Sequence, residues 1–121
     1  MWKVRWYGLN KDAAYLRSIL VEIDFLISEC ECLGVEELMG NRILSRACIR
    51  SLEIIGEAVK RLSSELKEKH PEIEWHFIAG MRDKLIHRYF GIDWDVVCNI
   101  LKNEIRPLKA EIEIMLSEVE A

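Results

Sequence analysis

Three side chains of different chemistry crowd into Gly80-Met81-Arg82-Asp83-Lys84-Leu85-Ile86-His87-Arg88-Tyr89-Phe90-Gly91. Arg82 is followed by four residues and then His87, and Tyr89 comes two positions later. A histidine titrates near pH ~6.5 and passes protons at neutral pH. An arginine stays charged and grips a phosphate with two parallel donors. Together they suit RNA as a substrate, because RNA carries its own nucleophile, the 2′-hydroxyl. A base to deprotonate it and a cation to hold the phosphate are then enough, with no metal. Asp83, Lys84 and Arg88 stand where they could tune such a site.

Spacing alone leaves the assembly of that site open. On a straight helix Arg82 and Tyr89 fall nearly on one face, while Arg82 and His87 stand about 140° apart. A long arginine side chain, a helix end at Gly91, or a second copy of the segment in a symmetric dimer would each bring them together. The same residues also fit a solvated surface of salt bridges, with His87 favoured near a helix C-terminus and Tyr89 a half-buried anchor. A second basic feature is Arg42, Arg46 and Arg50, which at intervals of four share one helix face, with Lys60 and Arg61 further along. They suit either a groove for a phosphate backbone or a solvated face paired with the many glutamates.

The elements that must carry these groups read as helices. From Lys11 to about Cys30, the residues Leu16, Ile19, Leu20, Ile23, Leu26, Ile27 and Cys30 form one apolar stripe. Gly34, Gly40 and Asn41 break it, with room for a short turn over Val35–Met39. A second helix runs from about Arg42 to Leu62, on Leu44, Cys48, Leu52, Ile55, Val59 and Leu62. Glu65–Lys69 could continue it, and Pro71 marks a boundary. A third helix is expected from about Glu74 to Tyr89, with Gly91 as its cap. Asp93 is a good N-cap for a last helix from Trp94 to about Val119, kinked near 103–107 by Pro107. Residues 1–10 read as an irregular N-terminal extension. The expectation is an all-α fold and a single domain over 1–121, an antiparallel up-down bundle of four main helices.

Bulk composition agrees. The 121 residues suit one domain, and only six glycines and two prolines favour long helices. The formal net charge of −4 argues against non-specific coating of nucleic acid, though a cleft is read by its own lining charges. No run of 18 apolar residues supports a membrane span, and no apolar stretch follows the basic start to make a secretory signal. The cytoplasm is therefore the expected location. Of the four cysteines, Cys30, Cys48 and Cys98 sit in apolar helical patterns and read as small buried hydrophobes. With one Cys-x-Cys and no partner pair, the cysteine spacing does not suit zinc, and no metal or cofactor is expected.

The segment from Gly80-Met81-Arg82 to His87-Arg88-Tyr89-Phe90-Gly91, followed by Asp93 and an amphipathic helix, resembles the HepT-like family of HEPN proteins. So do Ser51-Leu52-Glu53-Ile54-Ile55-Gly56-Glu57-Ala58 and Pro71-Glu72-Ile73 with Trp75 before Ile78-Ala79-Gly80-Met81. The likeness covers roughly residues 11–116 with the motifs in order. It implies an all-α homodimer in which two Arg-x4-His-x-Tyr segments face a shared cleft. It implies a ribonuclease toxin of a toxin–antitoxin pair, with Arg82 and His87 catalytic. Its antitoxin would be a nucleotidyltransferase that adds AMP to Tyr89. Bulk and negative charge placed there would repel a phosphate backbone. Position 83 is Asp where similar proteins often have Asn. The alternative is a helical dimer that binds a nucleotidyltransferase partner or a nucleotide without cleavage. A third possibility is a structural or zinc-binding helical protein.

Overall fold

The computed structural model describes residues 2–87 and 91–121, with the backbone alone for 2–10 and 87. Among the described residues the protein is all-α apart from one two-residue ladder. Its elements are α1 (Trp2–Glu29), α2 (Val35–Gly40), α3 (Arg42–Arg61), α4 (Ser64–Glu68), α5 (Trp75–Ala79) and α6 (Met81–Leu85). They are followed by β1 (Ile86–His87), β2 (Gly91–Ile92), α7 (Trp94–Asn103) and α8 (Ile105–Glu120).

Three helices supply most of the core. The fully covered residues of α1 and its C-terminal end, Leu16, Ile19, Ile23, Leu26 and Cys30, alternate steps of three and four. So do Cys48, Leu52, Ile55, Val59 and Leu62 at and after α3, and Ile105, Leu108, Ile112 and Met115 on α8. That spacing keeps one seam of each helix turned inward. Polar pairs set the directions. Ser63 donates to Asp12 from its backbone N–H at 2.9 Å and its hydroxyl at 2.7 Å, and Ser51 Oγ donates to Glu22 at 2.8 Å. As α1 advances from 12 to 22, α3 thus retreats from 63 to 51. On the other flank Arg17 pairs with Glu120, Asp24 with Lys109 at 2.8 Å, and Glu31 with Arg106 at 2.6 Å. Helix α1 is therefore antiparallel to both α3 and α8.

The caps follow from residue chemistry. Asn41 Oδ1 accepts from Leu44 N–H at 2.9 Å to open α3, and Ser63 accepts from Leu66 N–H at 3.2 Å to open α4. Asp93 accepts from Val96 N–H at 3.2 Å to open α7, as expected from the sequence. The expected break in the last helix falls at Glu104. Pro107 lies in the first turn of α8, where an N–H would have no intrahelical partner.

Three expectations need correction. Residues 2–10 are not irregular, because α1 is continuous from Trp2. That stretch has no proline, and a lone Gly8 weakens a long helix without ending it. The helix expected over Glu74–Tyr89 is instead two short helices divided at Gly80. It stops at Leu85, where Ile86 turns extended at φ −108° and ψ 114°. Finally, a strand pair occurs where none was expected. Ile86 faces Ile92 and His87 faces Gly91 across an antiparallel ladder, closed by Asp93 N–H donating to Leu85 O at 2.8 Å. Gly91 begins β2 at φ +79° and does not cap a helix.

Candidate functional site: a groove between α3 and α6

The site rests on a close helix approach. A Cβ at Gly56 of α3 would lie 3.1 Å from Ile78 O and 3.4 Å from Ala79 O at the end of α5. A side chain there would sit tighter than most Cβ contacts, so the glycine favours this close approach. The approach lays Ala79 and the start of α6 along the polar edge of α3, which carries Arg50, Glu53, Glu57 and Lys60. Those four recur at steps of three and four and so share one helix face.

Arg82 reaches back across this contact. Its Nε donates to Glu53 Oε2 at 2.9 Å, with Glu53 the more covered of the two. Among the described residues, neither terminal guanidinium nitrogen of Arg82 makes a hydrogen bond. The guanidinium is thus anchored on one edge and keeps its bidentate fork for another partner. Arg82, Asp83, Ala79, Arg50, Glu53, Gly56, Glu57 and Lys60 line a groove of about 390 Å³. Three cations meet three carboxylates there. Glu53 engages Arg82, and Glu57 stands 3.5 Å from Lys60. Arg50 makes no ion pair among the described residues, so its charge is available to a bound phosphate.

Several sequence-derived candidates come together and others do not. Arg82, Asp83 and Arg50 share the groove. Arg46 is exposed on α3 but does not line it, and Lys84 lies over the Phe77 ring at 5.3 Å from its centroid. That cation–π contact belongs to a different face. His87 enters through its backbone in β1, and its side chain, with all of Arg88 and Tyr89, lies outside the described residues. Because α6 ends at Leu85, the helical separation of about 140° between Arg82 and His87 does not apply. Sequence reasoning gave Glu53 no role. It is three positions from Arg50, but only the tertiary contact shows that it holds Arg82.

The cysteines behave as expected. Cys30, Cys48 and Cys98 are buried and Cys32 is exposed. Burial pushes the thiols of Cys30, Cys48 and Cys98 up, so they stay protonated and are poor nucleophiles or metal ligands.

The fold and this groove define a small all-α protein with an anchored arginine among mixed charges. Comparison with known proteins narrows it. The model of the family described as "Ribonuclease HepT-like" matches residues 19–115. A Caldanaerobacter subterraneus protein provisionally named an RNase is 44% identical over 86% of this chain and 93% of its own length. A Methanocaldococcus jannaschii protein, also provisionally named an RNase, is 42% identical over 88% of this chain and 92% of its own length. One from Thermococcus cleftensis, provisionally named ribonuclease HepT, is 40% identical over 82% of this chain and 90% of its own length. No solved structure matches the chain. The chain belongs to the HepT-like ribonuclease family. No helix among the described residues is long and apolar enough to cross a membrane.

Proposed function

We propose that this protein is a metal-independent endoribonuclease toxin, with Arg82 and His87 as the catalytic pair. The observation that carries this reading is the Arg82 guanidinium, held through Nε by Glu53 with no hydrogen bond to its terminal nitrogens among the described residues. Such a fork binds the two non-bridging oxygens of a phosphodiester and stabilises the charge that builds on them. His87 takes the proton from the 2′-hydroxyl. The 2′-oxygen then bonds to phosphorus and the P–O5′ bond breaks. The products are a 2′,3′-cyclic phosphate and a 5′-hydroxyl, which takes up a proton. The nucleophile comes from the substrate, so the scheme calls for no metal-bound water.

Two copies are expected to place their motifs on one cleft as a homodimer in the cytoplasm. A nucleotidyltransferase antitoxin would silence the toxin by adding AMP to Tyr89, two residues from His87. The added phosphate would then compete for Arg82. The balance of three cations and three carboxylates in the groove, Asp83 included, favours a second reading. In it the groove binds a nucleotide or the nucleotidyltransferase without cleavage.

The test is RNA cleavage in EDTA by wild type and His87→Ala, with intact mass measured on both. Cleavage by wild type alone, leaving cyclic phosphate ends, is expected. Inactivity of wild type at unmodified mass would favour the binding module, and activity surviving in His87→Ala would remove His87 from the site.

A further inference from the structure

A second cluster lies away from the groove. His70, in the connection between α4 and α5, is buried, with its side chain 9% exposed. Its Nε2 lies 2.8 Å from Glu118 Oε1 on α8. The backbone that carries the ring is also held, because the Trp75 indole donates to Lys67 O at 3.1 Å and His70 O at 3.0 Å. With the ring proton on Nε2 donated to Glu118, the lone pair sits on Nδ1. Nδ1 makes no hydrogen bond among the described residues, and Glu72 Oε1 stands 3.5 Å from it. Donor atoms of His70, Glu72 and Glu111 all fall within 4.8 Å of one another.

A neutral His70 with its Nε2 proton on Glu118 offers the Nδ1 lone pair beside two carboxylates, which together make a three-donor set for a cation. We infer that His70 Nδ1, Glu72 and Glu111 form a divalent-cation site of the zinc class, with Glu118 as the carboxylate that orients the imidazole. A carboxylate on the far ring nitrogen fixes the tautomer and raises the basicity of the ligating nitrogen, as is usual for metal-bound histidines. One imidazole with two carboxylates suits a first-row ion such as zinc better than calcium or magnesium. Bonds of about 2.1 Å put ligands of a tetrahedral shell about 3.4 Å apart, close to the Nδ1–Glu72 separation. The wider span of the set closes by rotation of Glu72, which is exposed, and Glu111, which is half-buried. Both also line a groove of about 530 Å³, so water can fill the remaining position.

The ion would tie the α4–α5 connection to α8, and through α5 it would brace the segment that carries Arg82. It shares no residue with the Arg82 groove and takes no part in the cleavage proposed above. His70 and Glu72 are two residues apart but Glu111 follows His70 by 41, so no short motif announces the full set.

The test uses the full chain carrying Cys32→Ser, to remove the exposed thiol as a competing ligand. The protein is stripped with EDTA and titrated with zinc by calorimetry, with a thermal melt before and after. One equivalent per chain and a higher melting temperature are expected. Glu72→Gln with Glu111→Gln should abolish saturable binding yet melt like the metal-free parent, and Glu118→Gln should weaken binding about tenfold. These carboxylate variants keep the test decisive if His70→Ala fails to fold. Absence of saturable binding, or unchanged affinity in the double variant, would overturn the site. Loss of RNA cleavage in EDTA, at a temperature where the stripped chain stays folded, would count against the metal-independent mechanism and leave the site standing.

Discussion

Arg82 and Glu53 are joined by a single hydrogen bond, Nε to Oε2 at 2.9 Å, across the contact of α6 with α3. The bond uses the one guanidinium edge that a bidentate phosphate does not need. Arg82→Ala should therefore lower RNA cleavage by about 10²–10³-fold, the loss typical of one preorganised donor to developing charge. Stability should change by no more than about 1 kcal/mol, because the arginine is largely exposed. Arg82→Lys should fail to restore cleavage, since an ammonium cannot hold Glu53 and still present a planar fork. Single-turnover cleavage with a parallel urea titration checks all three, and a fully active lysine variant would defeat the argument.

Arg50 and Arg46 are one helical turn apart on α3, yet only Arg50 lines the groove. Arg50→Ala should weaken RNA binding and lower the salt dependence of log K by about one phosphate contact. Arg46→Ala should leave both nearly unchanged. Binding of a short RNA to His87→Ala protein across a salt series makes the comparison, and equal effects from the two variants would place the RNA elsewhere.

Gly56 has no space for a branched side chain, because the atoms it would meet are the carbonyls of Ile78 and Ala79. Gly56→Val should cost about 1–3 kcal/mol, as overpacking usually does, and should shift Arg82 from Glu53. Urea unfolding should show the loss of stability. An unchanged midpoint would mean that α5 can retreat freely from α3.

Arg106 donates two hydrogen bonds to Glu31, Nε to Oε2 at 2.6 Å and Nη2 to Oε1 at 2.8 Å. This holds the Glu31 carboxyl below its ordinary value of 4.5. The folded chain binds that proton less readily than the unfolded one. The stabilisation is therefore complete above pH about 4.5 and is lost as the pH falls through the lower folded value. The urea midpoint of wild type should exceed that of Glu31→Gln at neutral pH, with the gap closing on acidification. A gap independent of pH would show that the pair contributes through packing and not through charge.

Much of this architecture can be read along the chain. The burial stripes of α1, α3 and α8, the Asp93 cap and the break near Pro107 are local signals, carried by residues within a few positions of one another. The Arg82, His87 and Tyr89 motif is equally visible, because its identity lies in residue types and order. The sequence alone was misleading at residues 2–10, where scattered tryptophans and a glycine hid a continuous helix, and at 86–87 and 91–92. There the choice between helix and ladder was made by pairing of Ile86 with Ile92 and by the positive φ of Gly91. The partners of Arg82 and His70 were also decided only in three dimensions. Glu53 precedes Arg82 by 29 residues and Glu118 follows His70 by 48, and no period along a chain reports a contact set by how helices cross. Composition and periodicity thus determined that the protein is helical and which faces are buried, because burial repeats with the helix itself. Which charges meet was left to the packing of α3 and α8 against the segments between them.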